Sequence, residues 1–378
     1  MQLPTADENN TNHSMKILLL GEYSGLHLTL AQGLRTLGHE VLLVSDGDGF
    51  KNYTRDIDIK RKSSGFKDTL ANLSTVWRNL KSFKDYDVVQ IINPNFTNLN
   101  THINLYLYRY LKKHNKKIFL GAFGDDYFWV KACLDKKFRY SEFFVDGKEN
   151  KLEENNRLKA DWLGTIRQKA NIEIADTCNG IIACLYEYYT AYQDRYSEKL
   201  VYIPLPVNTD EVKIQELPPL DKVRFFIGIN KARNEFKGTN LLSAELDKIY
   251  EDYPDLVSIV KAESLSYDQY KEFVKQSHVV LDQIYSYTPA MNGLLALALG
   301  KVLVGGGEPE MYELLGEEKN RPIVNVYPSG NDIYKKLQNI VLHKDTIKQI
   351  SLDGRLFVEK HHDYVKIAEK YVSFWSNK

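Results

Sequence analysis

The chain carries few of the residues that announce a metal centre or a disulfide framework. It has three cysteines in 378 residues, Cys133, Cys178 and Cys184. They have no metal-ligand spacing and are odd in number, which fits a reducing compartment. Net charge is also missing, because 50 Lys and Arg balance 50 Asp and Glu. A nucleic-acid partner therefore has no electrostatic footprint here. No apolar run approaches the roughly 18 residues a membrane span requires. Residues 1–14 lack the apolar centre of a signal peptide and read as a disordered extension before a first strand that starts near Met15. These absences together predict a cytoplasmic protein.

What is present is an ordinary globular composition, 43% apolar and 26% charged, with 25 tyrosines. Tyrosine suits sites that must be both apolar and hydrogen-bonding. The length suggests about two domains of 150–200 residues. From Met15 the pattern alternates. Lys16–Leu20, Glu40–Ser45, Asp87–Ile92 and Lys117–Leu120 read as strands. Between them, Leu28–Leu37 and Ile103–Lys113 read as helices, and Leu70, Leu73, Val76, Trp77, Leu80 and Phe83 mark one face of a third. Four prolines in the stretch after Leu200 break any helix and mark a linker. A second alternation follows: Val223–Ile229, Thr239–Tyr250, Leu256–Lys261, Tyr267–Gln276 and Val279–Ile284. The chain closes on a helix, Tyr364–Trp375. Strand–helix alternation of this kind predicts doubly wound parallel sheets.

Several loops at strand ends carry chemistry. Gly21 and Gly25 flank a turn between the first strand and helix, where glycine lets backbone approach a ligand. The turn is not GxGxxG, which disfavours a dinucleotide cofactor; a plain βα turn explains it equally. His27, polar on an apolar helix, suits either that site or the core. Lys231, Arg233 and Lys237 precede Gly238 after a strand and suit a diphosphate, or a solvated basic turn. Asp125 and Asp126 follow Gly124, where they suit either sugar recognition and base chemistry or helix capping. The segment Val279–Glu310 combines a Tyr-rich loop, a small-residue helix beginning near Asn292, and a glycine run leading to Glu308 and Glu310. The first turn of such a helix presents free N–H groups to a phosphate. Basic and aromatic residues from Ile103 to Lys117 suit either a helix packed on the sheet or peripheral contact with an anionic membrane.

Taken together, "SGLHLTLAQGLRTLGHEVLLVSDGD", "YIPLPVN", "NKARNEFKG" and "LDQIYSYTPAMNGLLALALGKVLVGG" resemble, in order and spacing, the retaining family-4-like glycosyltransferases of the GT-B class. The resemblance runs over nearly the whole chain. It implies two Rossmann-like domains facing across a cleft, an N-terminal acceptor domain over 15–205 and a nucleotide-sugar domain over 206–360. It also implies a C-terminal helix over 361–378 that returns to the N-domain, and chemistry without a metal or cofactor. The implied substrates are a nucleotide-sugar donor and a glycan or lipid-linked acceptor, at the inner face of the membrane. The implied catalytic residues are Arg233, Lys237 and Asp125. Those implied around the donor are Gly21, Gly25, Lys231, Tyr287, Thr288, Asn292, Glu308 and Glu310. The sequence departs from the family at its E-x7-E pair, which falls on Tyr287 and Leu295, with Glu308 or Glu310 the nearest substitute acids. Phe123-Gly124-Asp125 stands where many relatives have a histidine. A sugar-nucleotide epimerase and a catalytically silent binding protein are the alternatives on this fold.

Overall fold

The computed structural model describes residues 14–61, 65–263 and 267–378. Apart from Ser14, the expected N-terminal extension lies outside them. In chain order the first strands are β1 (Lys16–Leu20), β2 (Glu40–Ser45), β3 (Ile57–Asp58), β4 (Val88–Ile91), β5 (Lys117–Ala122), β6 (Phe144–Val145) and β7 (Lys148–Glu149). They are followed by β8 (Gly180–Ala183), β9 (Leu200–Tyr202), β10 (Val223–Ile229), β11 (Val257–Glu263), β12 (Val279–Leu281), β13 (Val302–Gly305) and β14 (Val324–Asn325). Seven of them form one sheet in the order β3-β2-β1-β4-β5-β8-β9, and five form a second in the order β11-β10-β12-β13-β14. Every pairing in both sheets is parallel. The β6–β7 pair is a separate antiparallel hairpin.

Helices cover both faces of each sheet, which is why β1 can consist of Ile17, Leu18, Leu19 and Leu20, all at most 2% exposed. The order reverses at β1 in the first sheet and at β10 in the second. At such switch points the strand ends leave a crevice open to ligands. The predicted strand Val279–Ile284 is shorter than expected. β12 stops at Leu281, and the chain leaves the sheet through Asp282 to form the cleft wall.

One predicted helix face needs correcting. The helix Phe66–Asn79 and the following turn bury Val76, Leu80 and Phe83, but Leu70 and Trp77 are 48% and 58% exposed. The helix instead turns Asn72 inward, where its amide donates to the Ile59 carbonyl. Trp77 lies outside, stacked on Tyr106 with ring centroids 6.4 Å apart.

The chain crosses between domains twice, and the two crossings are bonded to each other. Val207 N–H donates to the His362 carbonyl at 2.7 Å, and Tyr364 N–H to the Val207 carbonyl at 3.1 Å. Asp363 then caps the last helix, Tyr364–Asn377, by accepting from Val365 and Lys366 N–H. That helix packs on the first helix of the chain, Leu26–Thr36. Gly33 fits there because a Cβ would fall 2.4 Å from the Tyr364 carbonyl oxygen. Tyr371 and Trp375 are fully buried against the N-domain, and Lys117 Nζ donates to the Trp375 carbonyl at 2.8 Å. A second staple is Arg355, whose buried guanidinium donates to the Val212, Ala298 and Thr209 carbonyls and so fixes the linker.

Candidate active site

The two sheets point their carboxyl ends at one cleft of about 510 Å³. From the N-domain come the turns after β1 (Tyr23, Ser24), β5 (Phe123, Gly124, Asp125) and β8 (Leu185, Glu187, Tyr188), together with Glu142. From the C-domain come Arg233, Phe236 and Lys237 after β10, and Gln283, Tyr285, Ser286, Ala290 and Met291 after β12.

The basic segment folds as a 3-10 turn, Lys231–Arg233, followed by one helical turn, Asn234–Lys237. Gly238, at φ 70°, ends that turn and opens the helix Thr239–Asp252. A side chain at Gly238 would also collide with Ile284 at 2.4 Å. This geometry turns Arg233 and Lys237 into the cleft and leaves Lys231 outside, paired with Glu263 at 2.6 Å. The Arg233 guanidinium lies 4.6 Å over the Phe236 ring and 3.6 Å from Asp125. The Lys237 carbonyl accepts from Ile284 N–H at 3.1 Å, while its ammonium has no hydrogen-bond or ion-pair partner among the described residues. Burial lowers the proton affinity of its ammonium, against the opposing pull of the Asp282 carboxylate. Beside it, the helix Met291–Ala298 begins at Ala290 with no side-chain cap. The buried Asp282 carboxylate bonds the Gly293 N–H, which leaves the Met291 and Asn292 N–H groups open to an anion at the cleft.

The two aspartates after Gly124 divide the roles foreseen for them. Asp126 caps the helix Tyr127–Leu134 by accepting from Trp129 N–H at 2.9 Å, and also accepts from the Tyr192 hydroxyl. Its burial raises its pKa to about 7. Asp125 faces the cleft, where burial raises its pKa and Arg233 opposes the rise. His27 is a core residue: fully buried, with Nδ1 2.8 Å from the Gly21 carbonyl and a pKa lowered by burial to about 3. Glu22 caps the same helix, accepting from His27 and Leu28 N–H.

Other expected donor contacts are placed elsewhere. Gly21 is spaced by packing, since a Cβ there would sit 2.2 Å from Ile92, and Gly25 lies against Tyr53; Tyr23 and Ser24 between them form the wall. The glycine run also serves packing: a Cβ on Gly306 would fall 2.0 Å from the Ser286 carbonyl oxygen. Glu308 and Glu310 do not line the cleft. Glu308 accepts from Arg139 and from the Tyr140 hydroxyl at 2.6 and 2.7 Å, and Glu310 also binds Arg139. The Tyr287 ring is stacked between Tyr140 and Tyr186, and its hydroxyl accepts from Arg139 N–H. Thr288 Oγ1 accepts from Tyr186 N–H at 3.1 Å. Asn292 is exposed on the first turn of its helix. Glu308, Glu310, Tyr287 and Thr288 thus join the domains rather than facing a ligand.

Sequence reasoning missed Glu142 and Glu187, and no motif pointed to them. Burial pushes the Glu142 carboxyl up to about 8, and the nearby Asp125 and Glu187 charges add to the rise. Glu187 reaches across from the helix Tyr186–Tyr196, and its Oε1 accepts from both Tyr287 and Thr288 N–H. Among the described residues, no group of three or more acids, histidines or cysteines has the geometry to hold a metal ion. No described helix is long and apolar enough to cross a membrane.

Known proteins share this fold. A family described as glycosyl transferase-like matches residues 224–373. No curated protein matches the sequence. Among solved structures, sucrose-phosphate synthase from Thermosynechococcus elongatus superposes with a TM-score of 0.63 at 13% identity, over 96% of this chain and 98% of that one. Anabaena HepE, solved with UDP and glucose, gives 0.59 at 14% identity over 96% and 100%. The catalytic domain of Arabidopsis thaliana starch synthase IV, bound to ADP and acarbose, gives 0.60 at 9% identity over 97% and 99%. The chain has the GT-B fold of these structures, and its residues 224–373 are similar to the glycosyl transferase-like family.

Proposed function

We propose that the protein transfers a sugar, with retention, from a nucleotide-sugar to a glycan or lipid-linked acceptor, without a metal ion. The observation that carries this is Lys237, a half-buried ammonium in the cleft without an ion-pair partner among the described residues, beside Arg233 and a helix start with no side-chain cap from its N-cap residue. Its partly desolvated charge favours an anion beside it. Two of the similar structures were solved with UDP and with ADP, each of which carries a diphosphate. The same groups would stabilise charge developing on the leaving diphosphate, the largest catalytic term such a cleft offers. In this reaction the bond from the anomeric carbon to the phosphate oxygen breaks on the face where the bond to the acceptor oxygen forms. The acceptor proton passes to the departing phosphate.

Lys237→Ala and Arg233→Ala are each expected to lower kcat/KM by about a hundredfold or more, measured with a matched donor and acceptor. Wild-type rates in both variants would refute the assignment. Asp125, Glu142 and Glu187 on one wall also suit a sugar-nucleotide epimerase. Incubation with donor alone separates the two readings, because an epimerase makes a new nucleotide-sugar without an acceptor.

A further inference from the structure

Glu187 is bonded in a way that helix capping or domain docking alone does not account for. It sits in the first turn of its own helix, is 6% exposed, and spans the cleft to the opposite domain. Oε1 takes both loop N–H groups, from Tyr287 and from Thr288 at 3.2 Å. Oε2 is buried with no hydrogen-bond partner among the described residues, and Glu187 lines the cavity. A clamp between domains would need only the first oxygen. Leaving the second buried and unsatisfied costs stability unless a ligand supplies a donor.

The position says which part of a ligand that is. Thr288 is two residues before Ala290, the N-cap of the uncapped helix that faces the cleft beside Lys237. One of the two groups carried by a diphosphate held by Lys237, Arg233 and that helix start lies against the loop Glu187 grips. Glu142 and Asp125 on the same wall add negative charge, which excludes a second phosphate there and favours hydroxyl donors.

We propose that Glu187 reads the donor sugar: Oε2 accepts a hydrogen bond from a ring hydroxyl of the nucleotide-bound hexose, while Oε1 holds the loop in place. This rests on the donor assignment above, and the two fail differently. Glu187→Gln keeps an oxygen for the Tyr287 and Thr288 amides but turns the free acceptor into an N–H₂ donor.

The test is calorimetry on wild-type and E187Q protein with UDP, ADP and GDP, and with their glucose conjugates. The expected result is unchanged affinity for the nucleoside diphosphate that binds, and a loss of about tenfold to a hundredfold for its glucose conjugate, the range for a hydrogen bond to a charged group. Equal effects on both ligands, or none, would overturn the role of Glu187 while leaving the donor assignment standing. Failure of every nucleotide to bind wild-type protein would overturn both. A second measurement needs no variant. Donor analogues each lacking one ring hydroxyl are titrated into wild-type protein, and one position should cost a similar factor. If no position matters, the inference is wrong.

Discussion

Arg139 shows how one side chain can serve two domains. Its backbone N–H donates to the Tyr287 hydroxyl at 2.7 Å, its guanidinium lies 5.0 Å over the Tyr287 ring, and it binds both Glu308 and Glu310. It is half exposed, yet the Glu308 side chain it meets is only 8% exposed. Removing the cation therefore strands a buried carboxylate with only the Tyr140 hydroxyl. Arg139→Ala is expected to cost about 1–3 kcal/mol in urea unfolding, more than an exposed ion pair contributes. A change below about 0.3 kcal/mol would mean that the pair is solvent-screened and not structural. The contrast with Arg233 is instructive. Both are arginines in loops and both face carboxylates, but one closes an interface while the other is left open to a cleft.

At the level of elements, the glycine run after β13 marks the limit of motif reading. Three consecutive glycines at a strand end suit a phosphate loop, but here they let the chain pass against the loop 283–287. Gly306→Ala is expected to push that loop outward, since the added methyl meets the Ser286 backbone. The expected outcome is a lower melting temperature together with a raised KM for donor. A stable variant with normal KM would show that the loop yields without disturbing the cleft.

The strands β1, β2, β10 and the last helix were legible in the sequence because each buries an apolar run or stripe between clear breakers. The basic turn was legible because Gly238 ends it. The region from Asp125 to Leu200 was not, although it contributes much of the cleft. β8 and β9 have four and three residues, too short to establish a period, and the helices of this region mix Tyr, Asn and Glu on their buried faces. Glu187 was hidden for the same reason. Where the family resemblance implies an acid at position 287, this chain has Tyr287, and an acid arrives at its N–H from the other domain.

For the whole molecule, the buried ionisable groups set an unusual pH dependence. Glu22 and Asp126 are raised to about 7 and Glu142 to about 8, each mainly by burial. Between pH 4 and 8 the folded protein thus holds protons that the unfolded chain has released, so stability falls as pH rises through that range. His27 and His362, lowered by burial to about 3, act oppositely. Below about 6.5 the unfolded chain protonates them and the folded one does not, so stability falls as pH drops. Lys301, lowered by burial to about 8, begins to favour the folded state only at higher pH. Above pH 6.5 the histidines no longer oppose the carboxylates, so the melting temperature without ligand is expected to fall by several degrees between pH 6.5 and 8, read by scanning calorimetry in low-ionisation-heat buffers. A flat or rising profile over that interval would mean these carboxylates are hydrated.

The bonding of the two domain crossings at Val207 and His362–Tyr364 has a consequence for integrity. Cutting the linker between them and β10 would not release either half. The final helix belongs by sequence to the second half, but its Tyr371 and Trp375 are buried in the first. A molecule nicked there would still travel as one particle on a sizing column, and only denaturant would reveal two fragments. Covalent continuity and mechanical continuity thus run through different segments of this chain.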